Sequence, residues 1–257
     1  MFYMGGKGKV ADELLPIIQG YVDRSESGVY IEPFCGGCSI IRDIVATTRI
    51  ASDINPYLIA LYKRVQQSVR FDVRRGWVVN WSSFGRIRTE LSQSVYKEIL
   101  SDVRLGTGSR FTDYEIGYAL FLCSYCNVVM SSFEAGREDM LRESLERDFT
   151  QSYNDCLRGV FFRCGSYDVF PYPTGSVIYC DPPYRDADGY RIARDFDFER
   201  FYKWCRDMRN AGYTVLVSEA ADLTDVGFKE VWRQVRVGSV HGTRKGQKVT
   251  IERLFEV

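Results

Sequence analysis

Residues 180–184 read Cys-Asp-Pro-Pro-Tyr, so an acid, two prolines and an aromatic ring follow one another within a few positions. Proline has a fixed φ and no N–H group, and the backbone carbonyl between Asp181 and Pro183 is therefore expected to be a rigid hydrogen-bond acceptor. A carboxylate and a carbonyl beside the face of Tyr184 suit a planar substrate that carries an amino group, such as a nucleobase. Four-residue patterns occur by chance, so this interpretation needs support from the rest of the chain.

The elements before this segment indicate how it is positioned. An apolar run at 176–179 predicts a buried strand, and in open α/β sheets ligands bind at the carboxyl ends of the strands. Short strands are also predicted at 29–31 and 49–52, and a helix is expected at 10–18, before Gly20. Further helices are expected at 40–47, with Ser39 near the N-cap, and at 56–67, with Pro56 at the start. This alternation predicts an α/β fold with a parallel, doubly wound sheet.

The alternation stops after residue 69. Residues 70–158 contain no clear parallel strands, and helices are expected at 91–100, 114–126 and 138–157. We interpret 70–158 as an inserted, mainly helical subdomain, which leaves 1–69 and 159–257 as the main domain. Strand patterns resume at 160–162, 177–180, 214–217, 231–237 and 249–255, with an amphipathic helix at 198–210. No helix separates the last two strands, so we expect them to form an antiparallel pair.

A glycine turn and an acid follow the first two predicted strands. Gly36 and Gly37 lie between a strand and a predicted helix, where backbone N–H groups can approach a ligand closely. Asp53 ends the next strand, and its two carboxylate oxygens match the vicinal hydroxyls of a ribose. Alternatively, the glycines form a structural turn and Asp53 is a helix-capping acid. Taken together, the two features indicate a ligand that contains a nucleoside.

Other segments allow a functional and a structural interpretation. The stretch from Tyr3 through Gly5, Gly6 and Lys7 suits a carboxylate, although a frayed terminus has the same composition. Tyr167 follows the strand at 160–162 and either borders an adenine ring or lies in a surface loop. The loop with Arg185, Asp186, Asp188 and Tyr190 either orders over substrate or is merely solvated. The stretch with Arg244, Lys245 and Lys248 is either a phosphate-contacting hairpin turn or a solvated one.

Composition limits the class of protein. The 257 residues have a formal net charge of zero, which excludes a uniformly basic nucleic-acid binder but not a local basic face. The chain has neither a run of about eighteen apolar residues nor a signal-peptide core, so we expect no membrane span and a cytoplasmic location. The eight cysteines are then expected to be reduced thiols. The pairs Cys35/Cys38 and Cys123/Cys126 lie too far apart for a common zinc site, and the single histidine, His241, excludes a multi-histidine metal site.

Taken in order, the segments resemble the DNA adenine methylase (Dam-like) family of S-adenosylmethionine-dependent N6-adenine methyltransferases, in particular its phage-borne members. The matching segments are Tyr3-Met4-Gly5-Gly6-Lys7, the eight residues 32–39, the five residues 52–56, and Asp181-Pro182-Pro183-Tyr184. Parts of 201–204, 215–219 and 246–255 resemble the C-terminal part of the family. The resemblance covers about two thirds of the chain.

The resemblance implies a Rossmann-like methyltransferase sheet with an inserted target-recognition subdomain, S-adenosylmethionine as the cofactor and double-stranded DNA as the substrate. It also implies that adenine is flipped out of the duplex before its N6 amine is methylated. By position, the catalytic residues would be Asp181, Pro182, Pro183 and Tyr184, and the cofactor-binding residues would be Tyr3, Gly5, Gly6, Lys7, Glu32, Pro33, Phe34, Cys35, Gly36, Gly37, Asp53, Ile54, Tyr167 and Asp181. No metal is implied, and no oligomeric state is predicted.

The chain also departs from the family pattern. Ser166 stands where the family often has an acid that contacts the cofactor adenine, and 70–158 does not align, so the target sequence GATC does not carry over. Two alternatives therefore stay open. One is a methyltransferase that acts on another planar amine, in RNA adenine or a protein glutamine. The other is a non-catalytic DNA-binding module with the same fold.

Overall fold

The computed structural model describes residues 6–124, 131–134, 136, 138–185, 195–239 and 247–257, with the backbone alone at 236–239 and 247–250. The strands are β1 (Val29–Glu32), β2 (Thr48–Asp53), β3 (Val69–Asp72), β4 (Gly76–Val79), β5 (Val160–Cys164), β6 (Val177–Cys180), β7 (Thr214–Glu219), β8 (Lys229–Ser239) and β9 (Gln247–Glu256). The helices are α1 (Ala11–Arg24), α2 (Pro56–Ser68), α3 (Arg86–Glu90), α4 (Gln93–Leu105), α5 (Asp113–Leu122), α6 (Glu138–Thr150) and α7 (Phe198–Asn210).

The main sheet has the strand order β5-β2-β1-β6-β7-β9-β8. The first five strands in this order are parallel, β9 is antiparallel to β7, and β8 is antiparallel to β9. The predicted parallel α/β sheet and the antiparallel pair at its end are therefore confirmed. The chain runs outwards from β1 to β2 and β5 and then returns to β6, so the strand order reverses between β1 and β6. Open α/β sheets bind ligands at the carboxyl ends of the strands beside such a reversal.

Apolar side chains cover both faces of the sheet, which explains why the central strands are buried throughout. One face packs against α1, α2 and the helices between β4 and β5, around Leu14, Tyr62 and Phe149. The other face packs against α7, around Phe201 and Tyr202. Because these two layers cover both faces of the sheet, polar side chains lie at its carboxyl edge.

Two of the helices expected before residue 70 differ in the structure. The helix α1 continues past Gly20 to Arg24, because Ile18 and Val22 extend its buried stripe and outweigh the cost of about 1 kcal/mol for a helical glycine. The expected helix at 40–47 is wrong, since these residues form turns. The carbonyls of Ile41 and Arg42 accept hydrogen bonds from the Arg49 guanidinium, at 3.2 and 3.1 Å, in place of helical N–H donors.

The segment 70–158 holds α3 to α6 and also a hairpin, β3–β4, that the sequence pattern did not predict. The helix α5 ends at Leu122 and α6 at Thr150, earlier than expected, and two short 3-10 turns lead from α6 to β5. The helix α5 lies against α2 so closely that a Cβ at Gly117 would be 2.3 Å from the Tyr57 carbonyl oxygen. The helices of this segment therefore share the apolar core of the main sheet, and their assignment to a separate subdomain stays a prediction.

Candidate active site

Asp181 follows β6 directly and lies at the carboxyl edge of the sheet, next to the reversal of strand order. Its Oδ1 is 2.5 Å from the Nζ atom of Lys7, which lies in a short 3-10 turn before α1. The same Nζ is 3.5 Å from Oε1 of Glu252 in β9. The lysine side chain is only 6% exposed, so this contact is a buried ion pair rather than a surface one.

Tyr184 completes the group. Its hydroxyl donates a hydrogen bond to Oε1 of Glu252, and the Lys7 ammonium lies 4.7 Å from the centre of its ring. We refer to Lys7, Asp181, Tyr184 and Glu252 as the lysine–carboxylate cluster. Glu252 reaches this edge because β9 is antiparallel to its neighbours: Arg253 pairs with Glu219, the last residue of β7, and Glu252 lies one position beyond it.

The protonation of the cluster reflects burial and pairing together. Burial raises the pKa of Asp181, and the Lys7 ammonium opposes this change. Burial would lower the pKa of Lys7, but the carboxylates of Asp181 and Glu252 outweigh it, so the Lys7 pKa is raised. Lys7 is therefore held as a cation, and the ammonium occupies the acceptor position that a substrate amine would use.

A second carboxyl holds the backbone of the catalytic segment. Glu219 ends β7, and its Oε2 accepts the Arg185 N–H at 3.1 Å, immediately after Tyr184. Its Oε1 accepts the Ala220 N–H at 2.8 Å. Burial raises the pKa of Glu219 to about 7, while the N–H groups of Arg185, Ala220 and Ala221 oppose the rise. Pro182 is buried and Pro183 half-buried in the segment thus fixed.

Glu32 ends β1, the strand next to β6, and is 3% exposed. Its Oε1 accepts a hydrogen bond from the Tyr30 hydroxyl at 2.8 Å. Burial raises the pKa of Glu32 to about 8, and the charge of Asp181 adds to the rise. A carboxyl held neutral beside the catalytic segment is poised to ionise when a cation binds nearby.

The glycine turn follows Glu32 and lies against the end of β2. The Cys35 N–H donates to the Ser52 carbonyl at 2.9 Å, and the Cys38 N–H donates to the Cys35 carbonyl at 2.7 Å. Gly36 has φ +42°, a conformation that favours glycine, and the Tyr62 hydroxyl donates to its carbonyl at 2.8 Å. Burial raises the pKa of the Cys35 thiol, which keeps it protonated and apolar.

The turn and Asp53 are linked directly. Oδ2 of Asp53 accepts the Gly36 N–H at 3.1 Å, and Oδ1 accepts the Asn55 N–H at 2.9 Å. Burial raises the pKa of Asp53, and these N–H groups oppose the rise. Each carboxylate oxygen retains further acceptor capacity. The neighbouring Ile54 is 74% exposed, so its side chain is available to an approaching ligand.

Tyr167 lies in an aromatic cluster rather than in a surface loop. It is 7% exposed, its ring centre is 5.4 Å from that of Phe34 in a stacked arrangement, and it also contacts Phe201 and Trp204. Phe34 belongs to the turn after β1, so this cluster packs against the turn. The adjacent Asp168 accepts a hydrogen bond from Ser166 at 2.7 Å.

Some of the expected site residues lie outside the described part of the chain. These are Tyr3 and Gly5 at the N-terminus, the loop residues Asp186, Asp188 and Tyr190, the hairpin residues His241, Arg244 and Lys245, and Cys126, while Lys248 is described by its backbone alone. Gly6, by contrast, is described and has an extended backbone just before the turn that carries Lys7.

Within the described ranges, no group of three or more His, Cys, Asp or Glu side chains is arranged to hold a metal ion. Cys35 and Cys38 are both buried free thiols. Among the helices of the same ranges, none has both the length and the apolarity needed to cross a bilayer.

The structure thus brings together Lys7, Glu32, Asp53 and Asp181, together with the turn at 33–37, around the carboxyl ends of β1, β2 and β6. Sequence reasoning missed Glu219 and Glu252. Glu219 lies shortly after the strand predicted at 214–217, and this position could have identified it as a site residue. No such signal existed for Glu252, because its place at this edge depends on the register of an antiparallel strand.

Comparison with known proteins finds similarity to one curated relative and to solved structures. The chain is 26% identical over 167 residues to the retron Ec67 DNA adenine methylase of Escherichia coli, a match that spans 60% of this chain and 54% of that protein. Among solved structures it is similar to precorrin 8w decarboxylase of Methanobacterium thermoautotrophicum, with 11% identity, 95% and 89% of the two chains covered and a TM-score of 0.36. It is also similar to precorrin-6y C5,15-methyltransferase of Geobacter metallireducens GS-15, with 8% identity, 95% and 87% covered and a TM-score of 0.32.

A comparison with protein families covers the site segments together, in their order along the chain. Residues 3–244 match one family over nearly the whole chain. The turn after β1, the acid after β2 and the Asp-Pro-Pro-Tyr segment after β6 all fall inside this match. The chain belongs to the D12 class N6 adenine-specific DNA methyltransferase family.

Proposed function

We propose that this chain transfers a methyl group from S-adenosylmethionine to the N6 amine of adenine in DNA. The observation that carries the proposal is the buried contact between Asp181 and Lys7, 2.5 Å long, at the carboxyl edge of the sheet beside the reversal of strand order. It places a rigid carboxylate acceptor between the turn after β1 and the aromatic ring of Tyr184. Membership of the family supports adenine as the base that this acceptor receives.

The residues around this acceptor fit the chemistry of the cofactor, which supplies a methyl group on a positively charged sulfonium sulfur. Asp53 offers two carboxylate oxygens that Gly36 and Asn55 already orient, as a ribose would require. Glu32 is a buried carboxyl whose pKa of about 8 would fall beside a cationic ligand, so that it would bind the ligand as a carboxylate. We therefore propose Glu32, Asp53 and the turn at 33–37 as the cofactor site.

Asp181 and the carbonyl of Pro182 would accept the two N–H bonds of the adenine amine, whose lone pair is otherwise delocalised into the ring. Accepting both hydrogens favours a pyramidal nitrogen and fixes its orientation for attack on the methyl group. As the N–C bond formed, the bond between the sulfonium sulfur and the methyl group would break and leave a neutral thioether, and the nitrogen would lose one N–H proton, which Asp181 would accept. Because Lys7 occupies Oδ1 of Asp181 in the described structure, substrate entry would require the ammonium to move towards Glu252, which lies 3.5 Å away.

Tyr184 would stack on the flipped base while its hydroxyl remains on Glu252. Base flipping costs a few kcal/mol, and stacking on an aromatic ring recovers about 1–3 kcal/mol of it. The proline pair and the Arg185–Glu219 hydrogen bond keep the ring at a fixed place in the site. Neither step requires a metal ion or a covalent intermediate on the protein.

We propose the segment 70–158 as the part that recognises the target sequence in DNA. Several arginines lie there, but three of them are already paired with carboxylates. Arg110 contacts Glu98 at 2.7 Å and Glu90 at 3.2 Å, and Arg86 lies 3.5 Å from Glu115. Arg142 lies 3.2 Å from Asp139. These pairs orient the guanidinium groups and reduce their net charge. The cytoplasmic location expected from the sequence stays a prediction.

The test is incorporation of tritiated methyl groups into adenine-containing DNA, RNA and protein, followed by mapping of the modified base. Transfer to DNA adenine supports the proposal, and transfer to RNA or protein alone contradicts it. The Asp181→Ala protein should bind S-adenosylmethionine with an affinity near that of the wild type but show no transfer, whereas Asp53→Ala should lose cofactor affinity. Cofactor binding without transfer by the wild-type protein on any DNA would favour a non-catalytic DNA-binding module instead.

A further inference from the structure

A second cleft, of about 800 Å³, lies along β5, the outermost strand of the main sheet. We call it the edge cleft; its lining residues come from the start of β2, from α2, from the loop at 153–159 and from β5. Thr48 at the start of β2 lines it, whereas Asp53 at the end of β2 belongs to the candidate active site. Along β5 the lining runs from Val160 to Arg163, and Arg163 pairs with Ser52, one position before Asp53, so the edge cleft follows the outer edge of the sheet towards its carboxyl end.

The residues that line the edge cleft carry a net positive charge. Lys63, Arg158 and Arg163 line it, and no carboxylate is among its described lining residues. Arg49 also lines it, but its guanidinium is held by backbone carbonyls and serves the fold. The carboxylate of Asp155 is close in the chain but does not line the cleft, and it accepts a hydrogen bond from Ser152. This local basic surface on a chain of zero net charge suits an anionic partner.

Exposed aromatic rings lie among these cations. Tyr153 is 64% exposed and Phe161 is 63% exposed. The Arg158 guanidinium lies 4.1 Å from the centre of the Trp77 ring and 5.5 Å from that of Tyr153. Its Nη1 atom is buried and has no hydrogen-bond partner among the described groups. Trp77 and the 62% exposed Phe71 extend the aromatic surface onto the β3–β4 hairpin.

The base of the cleft is held in place before any ligand binds. The Gln66 side-chain amide donates to the carbonyls of Arg158 at 2.7 Å and Val160 at 2.9 Å, and Arg49 donates to the Tyr153 carbonyl at 3.1 Å. A Cβ at position 159 would lie 3.3 Å from Cζ of Tyr153, so Gly159 leaves room for the ring. The loop therefore presents Tyr153 and Arg158 from a fixed backbone.

We propose that the edge cleft binds single-stranded nucleic acid, with Lys63, Arg158 and Arg163 on phosphates and the rings of Tyr153 and Phe161 stacked on unpaired bases. Single strands combine a backbone that needs cations with base faces that stack on any exposed aromatic ring. A duplex keeps its bases stacked inside and would leave the rings unused, and a small anion would not need them. The surface is separate from the methylation site and does not depend on its chemistry.

The test measures binding of a fluorescent oligothymidylate of fifteen residues, which offers no adenine to the active site, by anisotropy over a range of salt concentrations. In the Lys63→Ala/Arg163→Ala protein we expect at least a tenfold loss of affinity at low salt. The slope of log K against log salt should fall in magnitude by about 1.4, because each lost phosphate contact on a single strand removes about 0.7. In the Tyr153→Ala/Phe161→Ala protein we expect at least about a fivefold loss with an unchanged slope.

A matched control is Lys203→Ala/Arg209→Ala, which removes two exposed cations of α7 that do not line the edge cleft and should leave binding within twofold of wild type. All three variants should retain the thermal melting temperature and methyl transfer to a short adenine duplex. The proposal is overturned if the wild type does not bind the oligomer, if the aromatic variant binds like the wild type, or if polyglutamate displaces the oligomer as readily as unlabelled strand does. Absence of methyl transfer by the wild-type protein, with these binding results unchanged, would contradict only the catalytic proposal.

Discussion

The buried carboxyl of Glu32 predicts how the stability of this protein depends on pH. In the folded chain, burial raises its pKa to about 8, whereas the unfolded chain has the ordinary value of 4.5. Between these values the folded state binds one more proton at this position than the unfolded state does. Stability is therefore fully present below pH 4.5 and is lost progressively as the pH rises towards 8.

The expected size of this loss follows from linkage. From pH 5 to pH 8 the slope is about 1.4 kcal/mol per pH unit, which gives ~4 kcal/mol in total for Glu32. For a chain of this size 1 kcal/mol corresponds to about 2–4 °C in melting temperature, so the loss amounts to about 8–16 °C. Glu32→Gln keeps an acceptor for the Tyr30 hydroxyl, which donates to Oε1 at 2.8 Å, and removes the titration.

The assay is thermal unfolding of the cofactor-free wild-type and Glu32→Gln proteins from pH 5 to pH 8, with Glu26→Gln, an exposed carboxyl before β1, as the control. The two curves should lie close together at pH 5, and the Glu32→Gln protein should melt about 8–16 °C higher at pH 8. Glu219, with a pKa raised to about 7, adds a slope that is common to all three proteins and cancels in the difference. Parallel curves for wild type and Glu32→Gln would refute the reasoning.

Two further outcomes are expected. Glu252→Gln removes a charge that raises the pKa of Asp181, so the acid limb of the pH–rate profile for methyl transfer should move to lower pH, with kcat/KM reduced about tenfold, or ~1.4 kcal/mol; an acid limb that stays in place would contradict the assignment. Gly117→Ala places a Cβ 2.3 Å from the Tyr57 carbonyl oxygen and should lower the free energy of unfolding in urea by about 2 kcal/mol or more. Gly20→Ala, a helical glycine with its nearest contact at 3.4 Å, should instead raise it by about 0.5–1 kcal/mol, and equal effects of the two substitutions would disprove this account.

The local pattern of the chain determined most of its elements. Strands at β1, β2, β6 and β7 follow from short apolar runs, because residues buried on both faces of a parallel sheet must be apolar. The strand β5 was predicted in the same way, although it lies at the edge of the sheet and leaves Phe161 exposed. The residues that do chemistry follow these runs directly, so their place at one edge could be inferred without the structure. Local pattern failed at 40–47, where apolar residues at helical spacing form turns and the Arg49 side chain, seven and eight positions further along the chain, binds the carbonyls of Arg42 and Ile41.

The remaining features depend on contacts between residues far apart in the chain. The sequence by itself determined that Asp53 and Asp181 would lie near a glycine turn at the carboxyl edge of a parallel sheet. Only the tertiary structure decided that Lys7, 174 positions before Asp181, would neutralise it, and that Glu252 would join them. The register of an antiparallel strand and the packing of the N-terminal turn result from the sum of many weak contacts, so a local motif does not predict them. Burial has the same origin, and burial sets the protonation of Glu32 and Glu219.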